Sequence, residues 1–265
     1  MISMHPETPE APSRPCHLRV WHAATSTDQR GEFERRCERW LAQDELIHAD
    51  RFQRTTTRNQ HVVGRAMARR LLAARNVAPQ EIRFGTGRHG KPQVVMPDAA
   101  IQPFNIAHTD GLVLCGVADP HVDLVGVDVE SIHRRTSTEL AERYFAEPEV
   151  QFLRRQPGEL QQYFFLRIWT LKEAFIKAIG TGLHTPLADF AFDQIDSERP
   201  VIRFLMPGLD MEKQWSFVCS SPREGYIASA AVAVTGEASP ARVNWQPFED
   251  LVGGAGSRSN VGEQL

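Results

Sequence analysis

Leu124-Val125-Gly126-Val127-Asp128-Val129-Glu130 alternates with a period of two: from residue 125 the valines take the odd positions and Gly126, Asp128 and Glu130 the even ones. This is the period of a β-strand with two unlike faces, one apolar and one carrying both acids. Along such a strand the two acidic Cα atoms lie about 6.5 to 7 Å apart, a span across which two flexible carboxylates can converge on one cation. Gly126 leaves that face open beside them. Magnesium is commonly held by one or two carboxylates together with waters and phosphate oxygens, so the pair suits a metal bound with a phosphorylated substrate. The competing reading is a half-exposed strand with two outward acids, and the strand by itself favours it.

Forty residues on, Ile168, Leu171, Phe175, Ala178 and Ile179 follow helical spacing and predict a buried stripe, closed by Gly180 and Gly182. Trp169, Glu173 and Lys177 recur every four residues, which puts an acid and an amine one turn apart on a common face. A glutamate beside a metal can ligate it or take a proton from an attacking hydroxyl, and a lysine can neutralise a departing phosphate. An ordinary surface ion pair has the same spacing.

Outward from these elements, the chain reads as helices followed by strands, twice, which is the α+β pattern. A strand over Leu18 to Ala23 and helices over Glu32 to Leu41 and Thr57 to Arg75 precede short β-prone runs at 82–84, 93–95 and 112–117. A second unit starts near Val122, with helices over Thr138 to Arg154 and Glu159 to Ile179 and strands at 201–205, 215–219 and 226–234. The expected division is a flexible segment 1–16, an N-terminal lobe 17–121, a C-terminal lobe 122–248 with the metal site, and a flexible tail 249–265. Pro, Gly and Ser enrichment at both ends supports the flexible assignments.

The net charge of −3 argues against a protein that coats a polyanion. Locally the balance differs, with seven arginines and no Asp or Glu between Arg51 and Arg75. Arg54, Arg58, His61, Arg65 and Arg69, at intervals of three or four, form a basic stripe if one helix runs through them. A non-catalytic nucleotide- or nucleic-acid-binding module built on that stripe is the alternative function. Four cysteines without Cys-x-x-Cys spacing fit reduced cytoplasmic thiols, and no apolar run has the length of a membrane helix.

Gly126-Val-Asp-Val-Glu130 and Trp169-Thr-Leu-Lys-Glu-Ala-Phe-Ile-Lys177 together resemble the two signature motifs of the phosphopantetheinyl transferases of the surfactin-synthetase type. Gly90-Lys-Pro92, Phe104-Asn-Ile-Ala-His-Thr109 and Arg143-Tyr-Phe-Ala-Glu147 resemble further elements of that family in the right order. The resemblance implies two similar α/β lobes related by a pseudo-twofold axis, with coenzyme A in the cleft between them. It implies transfer of 4'-phosphopantetheine to a serine of an apo acyl or peptidyl carrier protein, by a cytoplasmic monomer that uses magnesium and has no nucleic-acid or membrane partner. By position, Asp128, Glu130 and Glu173 surround the metal, and Glu173, Lys177 and Asp128 are the catalytic set. Lys91 and His108 contact coenzyme A phosphates.

Ala107 and Thr109 stand where the family has serines. Glu45, His48 and Gln60 fall where Lys or Arg usually grips the 3'-phosphate, and Arg58 and Arg65 of the stripe are the expected substitutes. The stripe's second expected use is docking of an acidic carrier.

Overall fold

The computed structural model describes residues 15–73, 76–136 and 138–253. The expected flexible ends fall mainly on 1–14 and 254–265, outside the described residues, as does the Arg75 end of the long arginine-bearing helix. β1 (His17–Ala24) is followed by α1 (Glu32–Cys37), α2 (Gln43–Ala49) and α3 (Thr55–Leu72). The hairpin β2 (Arg83–Thr86) and β3 (Pro92–Met96), then β4 (Phe104–Thr109) and β5 (Leu112–Ala118), complete a first unit. The carboxylate strand β6 (Leu124–Ser131) opens the second, with α4 (Thr138–Tyr144), α5 (Glu147–Arg154) and α6 (Gly158–Ile179). A hairpin of β7 (Phe190–Asp193) and β8 (Val201–Phe204) and the strands β9 (Gln214–Ser220) and β10 (Tyr226–Val234) finish it.

Strand, helices, hairpin and two strands thus occur twice, and the sheets repeat the same order, β1-β5-β4 and β6-β10-β9, antiparallel throughout. The fold is α+β, as the order of elements predicted, and the repetition is one of topology rather than of letters.

One segment departs from the expected boundaries. β11 (Arg242–Pro247) leaves the second unit and pairs parallel with β1, and α7 (Glu249–Gly253) follows it. Residues 242–253 are therefore built onto the first unit instead of ending a C-terminal lobe and starting a tail. Phe248 anchors them: it is fully buried, lies edge-on to Trp40 at 5.9 Å and donates its N–H to His22 O at 2.8 Å.

The layers are helix, sheet, sheet, helix. Trp21 and Ala23 of β1, with Val113, Cys115 and Val117 of β5, pack on Val62, Val63, Ala66 and Met67 of α3. The opposite face of that sheet, Leu18, Val20, Leu112 and Leu114, packs on Val125, Val127 and Val129 of β6 and on Ala228 and Ala230 of β10. The odd valines of the carboxylate strand therefore bury against the first unit, and its even positions face α6.

The helix expected over 138–154 is two. Ala146 is extended (φ −69, ψ 148), Pro148 sits in the first turn of α5, and the Glu149 side chain accepts the Ala146 N–H at 3.1 Å. Glu149 also meets Lys172 of α6 at 2.8 Å, both side chains being fully buried, so Lys172 of the signature motif serves the core. Among the described residues no helix is long and apolar enough to cross a membrane.

Candidate active site

Gly126 determines how close α6 comes to the carboxylate strand. A Cβ there would lie 2.6 Å from Ala178 N and nearer still to Ala174 O, so the helix backbone rests directly on the glycine. That approach brings Lys177 Nζ to Asp128 Oδ1 at 2.5 Å, with Asp128 only 5% exposed. Behind the acid, Ser229 sits opposite Asp128 in the β10 register, and its Oγ lies 2.8 Å from Thr170 Oγ1 of α6. Asp128 Oδ2 is buried and has no hydrogen-bond partner.

Glu130 is tied from both units. Thr109 Oγ1 of β4 donates to it at 3.3 Å, and Arg134, whose guanidinium lies 5.4 Å from the Trp169 ring centroid, pairs with its other oxygen. Threonine in place of the family's serine at 109 thus keeps a hydroxyl and uses it. Trp169 supports the site through Arg134 as well as packing in the core.

Burial raises all three carboxyls. Glu130 is pushed up to about 7 by desolvation and by repulsion from Asp128, against the pull of Arg134. Glu173 is raised by the same two causes, and Asp128 by burial despite Lys177. An acid whose folded pKa exceeds its unfolded value binds more protons when folded, so its ionisation costs stability as pH rises from the unfolded to the folded pKa. With divalent cations chelated, Glu130→Gln should therefore reduce the loss of stability between about pH 5 and 7, by up to about 1.4 kcal/mol per pH unit. Thermal melts of both proteins across that range check this, and parallel pH profiles would contradict it.

The cations expected at coenzyme A phosphates are differently placed. His108 lines a cleft of about 650 Å³ with Arg54, Gln60, Thr109, Glu130 and Arg134. Burial and Lys177 lower the His108 pKa, partly offset by Asp128. Lys91 lines a neighbouring cavity with Glu173 and Lys177, but its ammonium donates to Val125 O at 2.8 Å and Ala178 O at 3.1 Å. Desolvation lowers its pKa to about 8.

Arg58 pairs with Asp50 and Glu38 at 2.8 and 3.1 Å, and neither it nor Arg65 lines the cleft. Arg65 lies 3.6 Å from Glu45 and its guanidinium covers the Phe84 ring at 4.9 Å. Arg69 is buried on Glu45 at 2.6 Å. The stripe does run along α3, but acids from the preceding helices neutralise most of it. Glu45, out of place in a phosphate grip, is the acid that holds two of these arginines. Of the stripe expected from the sequence, Arg54 does line the cleft; Arg134 was not expected there, and its spacing from Glu130 was the available signal.

Among the described residues no three His, Cys, Asp or Glu side chains form a ready metal site on their own. Lys177 occupies one oxygen of Asp128. The other is orphaned, and Asp128 repels two further carboxyls, Glu130 and Glu173, whose ionisation burial also opposes. Such a set fits a hard cation that takes its remaining ligands from water and phosphate.

The model of the 4'-phosphopantetheinyl transferase superfamily matches residues 124–234, from the carboxylate strand through α6 to β10. The 4'-phosphopantetheinyl transferase HetI of Nostoc sp. is 31% identical over 212 residues, 78% of this chain and 81% of that protein. The 4'-phosphopantetheinyl transferase Sfp of Bacillus subtilis is 30% identical over 142 residues, 53% of this chain and 61% of its own length. The holo-[acyl-carrier-protein] synthase of Thermotoga maritima superposes on 44% of this chain and 66% of its own, with a TM-score of 0.38 and 24% identity. The likeness to HetI extends beyond either unit alone, and the family model spans Asp128, Glu130, Glu173 and Lys177: this chain belongs to the 4'-phosphopantetheinyl transferases.

Proposed function

We propose that the chain transfers the 4'-phosphopantetheine arm of coenzyme A to a serine of an apo carrier protein, at the cleft between its two units, releasing adenosine 3',5'-bisphosphate. The observation that carries this is the Gly126 contact, which sets Lys177 against Asp128 with its orphaned oxygen and brings Glu173, one turn earlier on the same helix, within reach of the repulsion of that acid. The topology used twice supports two lobes in pseudo-twofold relation, 17–121 with 242–253 and the rest of 122–241.

Asp128, Glu130 and Glu173 would hold magnesium, which when bound neutralises charge on the pyrophosphate oxygens. His108 and Arg54 line the adjoining cleft and take phosphate contacts. Arg58 and Arg65 keep the acid pairs that position α3, and Lys91 belongs to the wall of the neighbouring cavity. In the transfer the serine oxygen bonds to the phosphorus that carries the pantetheine arm, as that phosphorus loses its bridging oxygen. Glu173 accepts the serine proton, and Lys177 stabilises the departing nucleotide phosphate. Nucleotide release that occurs without carrier, or no release with any carrier, would contradict this assignment; release only with an apo carrier whose serine is intact supports it.

Since acids neutralise most of the α3 stripe, we place carrier docking on the segment joining β6 to α6. Ile132, Leu140 and Tyr144 are exposed there, close in sequence to Arg134, Arg135 and Arg143, and Leu160 and Tyr163 are exposed at the start of α6. Exposed apolar side chains on a segment that also carries arginines suit an acidic carrier. Leu140→Asp should lower kcat/KM for the carrier about tenfold while leaving KM for coenzyme A within a factor of two. Equal loss for both substrates would move the docking face elsewhere. Both cleft walls come from one chain, which supports a monomer, and four buried cysteines outside any disulfide suit a reducing cytoplasm.

A further inference from the structure

We propose that Asn105, in the first unit, is a positioning residue that fixes the strand carrying Asp128 and so aligns the two walls of the site. The inference rests on the assignment of Asp128, Glu130 and Glu173 just made.

β6 is an edge strand, paired with β10 on one side only. In an antiparallel ladder alternate residues turn their N–H and C=O toward the partner. The bond from Ile132 N to Gly225 O, at 2.9 Å, continues the β6–β10 register and assigns the even residues to that side. Val125 and Val127 therefore present their backbone groups to the open edge, at positions almost wholly buried. Unpaired polar groups there would be costly.

Two side chains of the first unit meet them. Val127 N–H donates to Asn105 Oδ1 at 2.9 Å, and Lys91 Nζ donates to Val125 O and to Ala178 O of α6. Asn105 is 5% exposed and shares a face of β4 with Ala107 and Thr109, so the same strand that latches Val127 also reaches Glu130. The latched N–H belongs to the residue immediately before Asp128, and the second carbonyl held by Lys91 to the residue after Lys177. A side chain thus takes the place of a third ladder, and β4 sets where β6 lies relative to α6. A displacement of about 1 Å in such a site can cost a hundredfold in rate, so the latch bears on turnover and not on stability alone.

The test compares Asn105→Ala, Asn105→Asp and Asp128→Ala in the full chain. Melting temperature, steady-state constants and manganese binding followed by electron paramagnetic resonance are measured for each. Asn105→Ala should lower kcat and manganese affinity roughly 10- to 100-fold while KM for coenzyme A moves less than about threefold. Asn105→Asp keeps an acceptor for the Val127 N–H and should recover most of both losses. If Asn105→Ala does not fold, Asn105→Ser, whose hydroxyl is too short to reach that N–H, replaces it with the same expectation. Unchanged kcat and metal affinity in the variant without the acceptor overturns the proposal. So does an Asn105→Asp protein that melts normally but turns over no better, which would assign the amide nitrogen to substrate. Asp128→Ala separates the failures: if it is active the metal assignment itself falls, and if it is inactive beside a normal Asn105→Ala, only the role of Asn105 does.

Discussion

Asp128→Ala is expected to lower phosphopantetheine transfer about a thousandfold or more while leaving the protein folded. The loss follows from geometry. Asp128 is the one acid that both repels Glu130 and Glu173 and meets Lys177, so it couples the strand wall to the helix wall. Its Oδ2 has no partner within the protein, and a cation with its phosphate ligands is what that oxygen suits. The fold should survive because burial already disfavours the carboxylate, and the Lys177 side chain, 30% exposed, can return its ammonium to water. Kinetics and a thermal melt on one preparation check both halves. Turnover near that of the parent would remove Asp128 from the metal site, and an unfolded variant would make it a structural residue.

Gly126→Ala should be nearly as damaging, for a different reason. The added methyl would press on Ala178 N and Ala174 O, which are backbone atoms of α6 and cannot turn aside as a side chain can. Helix and strand must separate, at a cost of about 1 to 3 kcal/mol or more. Glu173 and Lys177 move with the helix, so kcat should fall by roughly a hundredfold as well. Gly158→Ala is the natural control, since a Cβ at the start of the same helix meets nothing within 4 Å. It should leave both quantities unchanged. A Gly126→Ala protein with the parent's melting temperature and kcat would show that the close approach of helix and strand is unimportant.

Much of this site was legible in the sequence because its elements are locally periodic. Valine alternation gave β6 two faces, and the stripe from Ile168 to Ile179 with Gly180 after it set the orientation of α6. Gly180 does close the helix, at φ 70. The break at Ala146 was not legible, since 138–154 carries one continuous helical pattern and only Pro148 hints at the interruption. Nor was β11, because parallel pairing with a strand more than two hundred residues earlier leaves no mark in 242–247.

Charge partners proved the hardest to infer. Arg58 and Arg65 look available in a stretch free of acids, yet Glu38, Asp50 and Glu45 fold back onto them from neighbouring helices. Lys91 resembles a phosphate ligand until the edge of β6 is known to leave Val125 O without a ladder partner. Sequence motifs mark where chemistry can occur. Which of their polar atoms the fold has already engaged depends on contacts between elements.

Intact-mass measurement of an apo carrier after incubation with the protein, coenzyme A and magnesium tests the central claim most directly. The expected result is a carrier heavier by one phosphopantetheine group, attached to its serine, with no gain when magnesium is chelated or the serine is replaced. No increment across fatty acid, polyketide and peptide synthase carriers would contradict the account.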